Sequence, residues 1–139
     1  MKTKHIIESL RSNADAGDVD AQREFARRLE EGDGIDVDLI QASHYYALAA
    51  ENGDAESQNS LGILLATGKG VMHDVTQAIR WFEASSEQGN VKALMNLGII
   101  YEEGRGVRPD AKKALRCYAQ AEALGNLEAG KRVERLKKR

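Results

Sequence analysis

The strongest constraint on this chain is its register with itself. Gly17, Gly53, Gly89 and Gly125 stand 36 residues apart, and the pairs Gly32/Gly34, Gly68/Gly70 and Gly104/Gly106 keep the same spacing. Self-similarity at a fixed period of about 20–50 residues belongs to stacked supersecondary units, each too small to bury its own apolar face and stable only against its neighbours. The expected product is an elongated array with an extended surface for a partner.

Punctuation inside each unit sets the helices. Gly17-Asp18, Gly53-Asp54, Gly89-Asn90 and Gly125-Asn126 each close one helix, because glycine accepts the left-handed conformation, and open the next, because Asp or Asn accepts hydrogen bonds from the first free N–H groups. About four residues beyond each Gly-x-Gly pair come Asp38, Asp74 and Asp110, placed as further N-caps, with Gln41 and Gln77 in the capping-box position. Each unit thus reads as helix A, a glycine loop, helix B and a tight glycine turn.

Apolar spacing agrees. Phe25/Leu61/Leu97 and Leu29/Leu65/Tyr101 recur four residues apart on one face of helix A, and Ala42/Ala78/Ala114 with Tyr46/Phe82/Tyr118 do so on helix B. Ile35, Val71 and Val107 are placed as apolar pegs in the inter-helix loops. Ile6, Leu10 and Ala14 align with Ala42, Tyr46 and Ala50, so residues 1–16 read as a lone B helix. Full units follow at 17–52, 53–88 and 89–124, and residues 125–139 read as a lone A helix with Ala129, Val133 and Leu136 on its apolar side. Both end helices are charged, as solenoid caps must be. One domain of 139 residues accounts for the whole chain.

Runs such as Ala93-Leu94-Met95-Asn96-Leu97-Gly98-Ile99-Ile100-Tyr101-Glu102-Glu103-Gly104-Arg105-Gly106-Val107 and Ala78-Ile79-Arg80-Trp81-Phe82-Glu83-Ala84 resemble Sel1-like repeats, a subfamily of the tetratricopeptide class. The resemblance implies an all-α fold, a right-handed α/α solenoid of helix hairpins, acting as an adaptor or scaffold. Departures stand at Ala26, where Gly62 and Gly98 recur, at Cys117, where Tyr45 and Trp81 recur, and at Glu122, where Ala50 and Ser86 recur. A cysteine-rich branch, associated with a disulfide in each repeat and with penicillin binding, is a poor comparison because Cys117 is alone.

Helical phase then proposes a binding surface. At about 100° per residue, Ile63 lies roughly 200° from Leu61, and Met95 and Ile99 lie similarly far from Leu97. In related repeats that side of helix A lines the concave groove, giving a row of Arg23 and Arg27, Asn59 and Ile63, Met95 and Ile99, then Lys131 and Arg135. The row reads as basic at both ends and apolar in the middle. The expected partner is a protein or peptide with apolar anchors and one or more carboxylates, which arginine recognises with its planar fork.

Two other readings stand beside it. The run Lys131–Arg139 is expected to be a cap helix kept soluble by its charges, and its alternative role is contact with nucleic acid or an acidic partner. A regulatory subunit binding through its convex face is the other alternative.

No constellation points to chemistry. His5, His44 and His73 share no metal-ligand spacing, Gly-x-Gly recurs between helices where a dinucleotide site needs a preceding strand, and Cys117 occupies a packing row. The pairs Glu30/Glu31 and Glu102/Glu103 read as solvated surface. The expectation is a non-enzymatic chain without metal or cofactor, monomeric or weakly oligomeric. A net charge of -2 with 30% charged residues argues against a general polyanion binder. The start Met1-Lys2-Thr3-Lys4-His5-Ile6-Ile7-Glu8 lacks the apolar run of a signal peptide, and with a single cysteine it favours the cytoplasm.

Overall fold

The computed structural model describes residues 2–139. Among them it contains α1 (Lys2–Asp15), α2 (Val19–Glu31), α3 (Leu39–Glu51), α4 (Ala55–Thr67), α5 (Val75–Glu87), α6 (Val91–Glu103), α7 (Ala111–Ala123) and α8 (Leu127–Lys137), and no strand. Each helix packs on the next in an all-α solenoid, with the hairpins α2/α3, α4/α5 and α6/α7 as its units.

Caps fall where the glycine punctuation places them. Asp18, Asp54, Asn90 and Asn126 accept the N–H groups of Ala21, Ser57, Ala93 and Ala129, opening α2, α4, α6 and α8. Asp38, Asp74 and Asp110 open α3, α5 and α7 in the same way. Each such cap stabilises by about 1 kcal/mol. The capping box differs in one respect: Gln41 and Gln77 donate to the cap carboxylates at 2.8 and 3.2 Å instead of accepting from the cap N–H. The cap N–H groups of Asp38, Asp74 and Asp110 are already donated to the carbonyls of Leu29, Leu65 and Tyr101, which tie each B helix to its own A helix.

The seam between A and B helices is the core. Phe25, Leu61 and Leu97 are buried from α2, α4 and α6, and Ala42, Ala78 and Ala114 are fully covered opposite them. Tyr46, Phe82 and Tyr118 fill the remaining space. Gly62 is required by that closeness, since a Cβ there would lie 2.6 Å from the Phe82 ring. The second glycine of each loop pair serves stacking between units. At Gly106, with φ +74°, a Cβ would come within 2.6 Å of Val75, at the start of the preceding B helix. Ile35, Val71 and Val107 pack half-buried against the core.

The first half unit is rotated from its expected face. α1 buries Ile7 and Ala14, leaves Leu10 half-buried, and exposes Ile6 at 48%. Ile6 aligns with Ala42, which packs on the A helix of its own unit, and among the described residues α1 has no such partner. Ile7 instead faces the following unit, near Gly34. At the other end Ala129, Val133 and Leu136 are buried as expected. Glu134 stands 36 residues after Gly98, the place where glycine admits the Tyr118 ring, so α8 presents a charge where an internal A helix would receive its B partner.

Candidate functional site

Four A helices, α2, α4, α6 and α8, carry the row read from the sequence. In its middle Ile63 is 39% exposed, while Met95 and Ile99 are half-buried. Asn59 is largely covered: it is 5% exposed, and its Oδ1 accepts a 2.9 Å hydrogen bond from Asn96 Nδ2. It joins α4 to α6, a role invisible to helical phase because the donor sits on the next unit.

Between these two helices is a cavity of about 280 Å³. Ile63, Ala66 and Thr67 form the α4 wall, and Ile99, Ile100 and Asn96 form the α6 wall. Phe82 and Val75 lie at its base, and His73, Arg105 and Gly106 of the loops line it. Small-molecule pockets usually run to about 300–1,000 Å³. A space slightly below that range, apolar with a few polar groups, suits a large side chain of a docked polypeptide. Ile63 and Ile99 of the row read from the sequence line this cavity, while Asn96 on α6 and the loop residues His73 and Arg105, which come beside it only when the units stack, lie outside that row.

The expected charge pattern is corrected at one end. On α2, Arg23 is flanked by Asp54 at 2.7 Å, Asp20 at 3.1 Å and Glu56 at 3.6 Å. Arg27 is held by Glu24 at 2.7 Å, by Asp33 at 3.1 Å and by Glu31. Three carboxylates meet each guanidinium, so this end is acidic. The Arg27 hydrogen bonds keep the Glu24 carboxyl below its ordinary pKa, and Glu24 also accepts from Arg28 Nε at 3.1 Å.

At α8 the arrangement reverses. Glu102, at the end of α6, accepts from Arg135 Nη2 at 2.8 and 2.6 Å, from Arg139 at 3.3 Å and from the Tyr118 hydroxyl at 2.8 Å, with Arg132 at 3.8 Å. Burial works against ionisation of this carboxyl, yet the Tyr118 and Arg135 hydrogen bonds hold it below its ordinary range. Burial and the Glu102 contact push the Tyr118 hydroxyl up to about 12. Lys131 is exposed and has no ion pair among the described residues.

Glu30 and Glu102 are therefore not the solvated carboxylates expected. Glu30 accepts from Tyr46 at 2.8 Å, as Glu102 does from Tyr118. In the middle unit the same two positions hold Ala66 and Phe82, so the acid vanishes where the hydroxyl does. That internal covariation was a readable signal. The C-terminal run acts as a cap: Arg132, Arg135 and Arg139 converge on Glu102 and pin α8 to α6 and α7. Cys117 is half-buried, and burial raises its thiol pKa.

Several apolar side chains more exposed than Ile63 lie elsewhere, Leu127 on α8 at 84% among them. Val37, Ile40 and Met72 are 58%, 73% and 89% exposed around an open hollow at the loop edge of the first two units. The sequence reading did not single them out, because Val37 and Met72 are loop residues without helical phase and Ile40 lies in the first turn of α3. Among the described residues no helix is long and apolar enough to cross a membrane, and no cluster of three His, Cys, Asp or Glu side chains could hold a metal ion.

The stacked hairpins define a helical-repeat solenoid of the tetratricopeptide-like class. A profile of the Sel1 repeat matches residues 19–54, 55–90 and 91–126, and the chain belongs to the Sel1 repeat family. The profile repeats begin two residues after the glycine-based units, inside the cap. A Sel1 repeat protein from Oxalobacter formigenes is 40% identical with a TM-score of 0.77, the match covering 91% of this chain and 96% of that one. A protective antigen of uropathogenic Escherichia coli displaying an SLR fold is 32% identical with a TM-score of 0.82 over 86% of this chain, which spans 26% of the antigen. Helicobacter pylori cysteine rich protein B, at 19% identity, TM-score 0.68 and 92% coverage of both chains, shares the fold. No curated protein matches the sequence significantly. Repeats of this family serve as scaffolds for protein–protein interaction.

Proposed function

We propose that this chain is an adaptor that binds a peptide or a segment of a partner protein in the groove along its A helices, acting by binding and not by catalysis. The observation that carries this reading is the cavity between α4 and α6, walled by Ile63 and Ile99 and large enough for an anchoring side chain. Apolar walls supply affinity through burial, about 25 cal/mol per Å² of apolar surface, and the polar groups at Asn96, His73 and Arg105 orient the partner backbone. The charged ends select among partners.

The test is differential capture from lysate of the source cell, using the wild type, an Ile63→Glu/Ile99→Glu variant and an Ile40→Asp/Met72→Asp variant, all first shown to be helical. Loss of one defined protein with the first variant and its retention with the second supports the groove. Retention with the first and loss with the second transfers the function to the loop-edge hollow and refutes the proposal.

A further inference from the structure

The two ends of the groove differ in which sign of charge faces outward. At α2 the side chains of Arg23 and Arg27 are 30% and 35% exposed, whereas Glu24, Glu31 and Asp33 around them are 39%, 55% and 51% exposed. At α8 the carboxylate is the hidden member: Glu102 is 9% exposed, while Arg135 and Arg139 are 49% and 61% exposed. Arg27 spends its donors on its own acids, which keep free lone pairs. Arg135 and Arg139 share one buried carboxylate and keep free donors. Lys131 adds an unpaired cation at the same end.

We propose, building on the groove reading, that the partner is a bipolar segment of another protein. Its basic residue lies over the α2 acids, an apolar side chain enters the cavity between α4 and α6, and its acidic residue meets Arg135, Arg139 and Lys131. A segment acidic at both ends is disfavoured by the carboxylates of α2, and one basic at both ends by the guanidiniums of α8. Opposed charges near surface groups act as filters more than as sources of affinity.

Selection of a random peptide library on the full chain, counter-selected on the Ile63→Glu/Ile99→Glu variant, tests this directly. The expected winners carry an apolar residue with Lys or Arg on one side and Asp or Glu on the other. Their affinity should fall about threefold to tenfold in Glu31→Lys/Asp33→Lys, and about as much in Arg135→Glu/Arg139→Glu, from the loss of two exposed pairs. Arg135 also anchors α8, so Lys131→Glu is measured beside it, with a smaller loss expected.

Groove-dependent peptides with ends of like sign, or with no charge preference, overturn the bipolar partner and leave the groove standing. Absence of peptides that depend on Ile63 and Ile99 overturns the groove reading itself. A concentration-dependent dimer abolished by Ile63→Glu/Ile99→Glu seats a second copy there and refutes the peptide partner.

Discussion

Replacing Asn52 by glutamine should stabilise the protein, and the second unit shows why. Gln58 is 6% exposed, its Nε2 donates to the Ala50 carbonyl at 3.1 Å, and its Oε1 accepts from Gln88 Nε2 at 3.0 Å. Gln88 also donates to the Gly53 carbonyl at 2.9 Å. One unit earlier, Gln22 is 3% exposed and donates to Ala14 at 3.1 Å, but its Oε1 has no partner. The residue corresponding to Gln88 is Asn52, one methylene shorter, and its amide turns back to the Leu48 carbonyl at 2.9 Å.

An unpaired buried acceptor costs about 1–3 kcal/mol, and a new hydrogen bond returns about 0.5–1.5 kcal/mol. Against this stand the exposed bond to Leu48 and the rotamer freedom of a longer side chain, worth up to about 1 kcal/mol together. The net expectation for Asn52→Gln is a gain of about 1 kcal/mol, which raises Tm by roughly 3–5 °C for a domain of this size. Urea and thermal unfolding followed by far-ultraviolet circular dichroism measure it. Gln88→Asn should lose about the same amount, and Asn52→Met, similar in length but without an amide, isolates packing from hydrogen bonding. If Asn52→Gln is no more stable than Asn52→Met, or Gln88→Asn unfolds at the wild-type midpoint, the reasoning is refuted.

Other perturbations follow from the same geometry. Gly62→Ala should destabilise by about 1–3 kcal/mol through overpacking against Phe82, read as a lower urea midpoint. Glu102→Gln should cost about 1–3 kcal/mol and speed amide hydrogen exchange in α8 more than in α4, since it weakens the link to Arg135 and Arg139. Glu24 and Glu102 both have depressed pKa values when folded, so their contribution is present above the ordinary glutamate pKa of about 4.3 and is lost as pH falls below it. The acid limb of the stability profile should therefore flatten in Glu102→Gln. Tyr118 has a raised folded pKa of about 12, so the stability tied to its neutral form is complete below its unfolded value of about 10 and fades between the two. Tyr118→Phe should remove that part of the alkaline loss in a pH titration of the unfolding midpoint.

Part of the candidate cavity was open to a linear reading, and the departures share a cause. Ile63 and Ile99 line the same cavity because helical phase is local and the period carries it from unit to unit. Asn59 departs from the row because its carbonyl is engaged by Asn96, 37 positions later. The basic reading of the α2 end failed in part because Arg23 meets Asp54, the cap of the next A helix, 31 residues away. A single row of positions contains neither neighbour.

The sequence by itself determined the repeat length, the helix boundaries, their caps and the face each internal helix buries. These rest on short-range rules: a cap needs an acceptor beside free N–H groups, and a buried face needs spacing of three or four residues. Only the tertiary structure decided that Ile6 is left uncovered, that Glu102 gathers three arginines, that the glycine loops close a cavity beside Ile63, and that one end of the groove is acidic. Those outcomes depend on Coulomb and contact distances between units, which arise only when the helices are stacked.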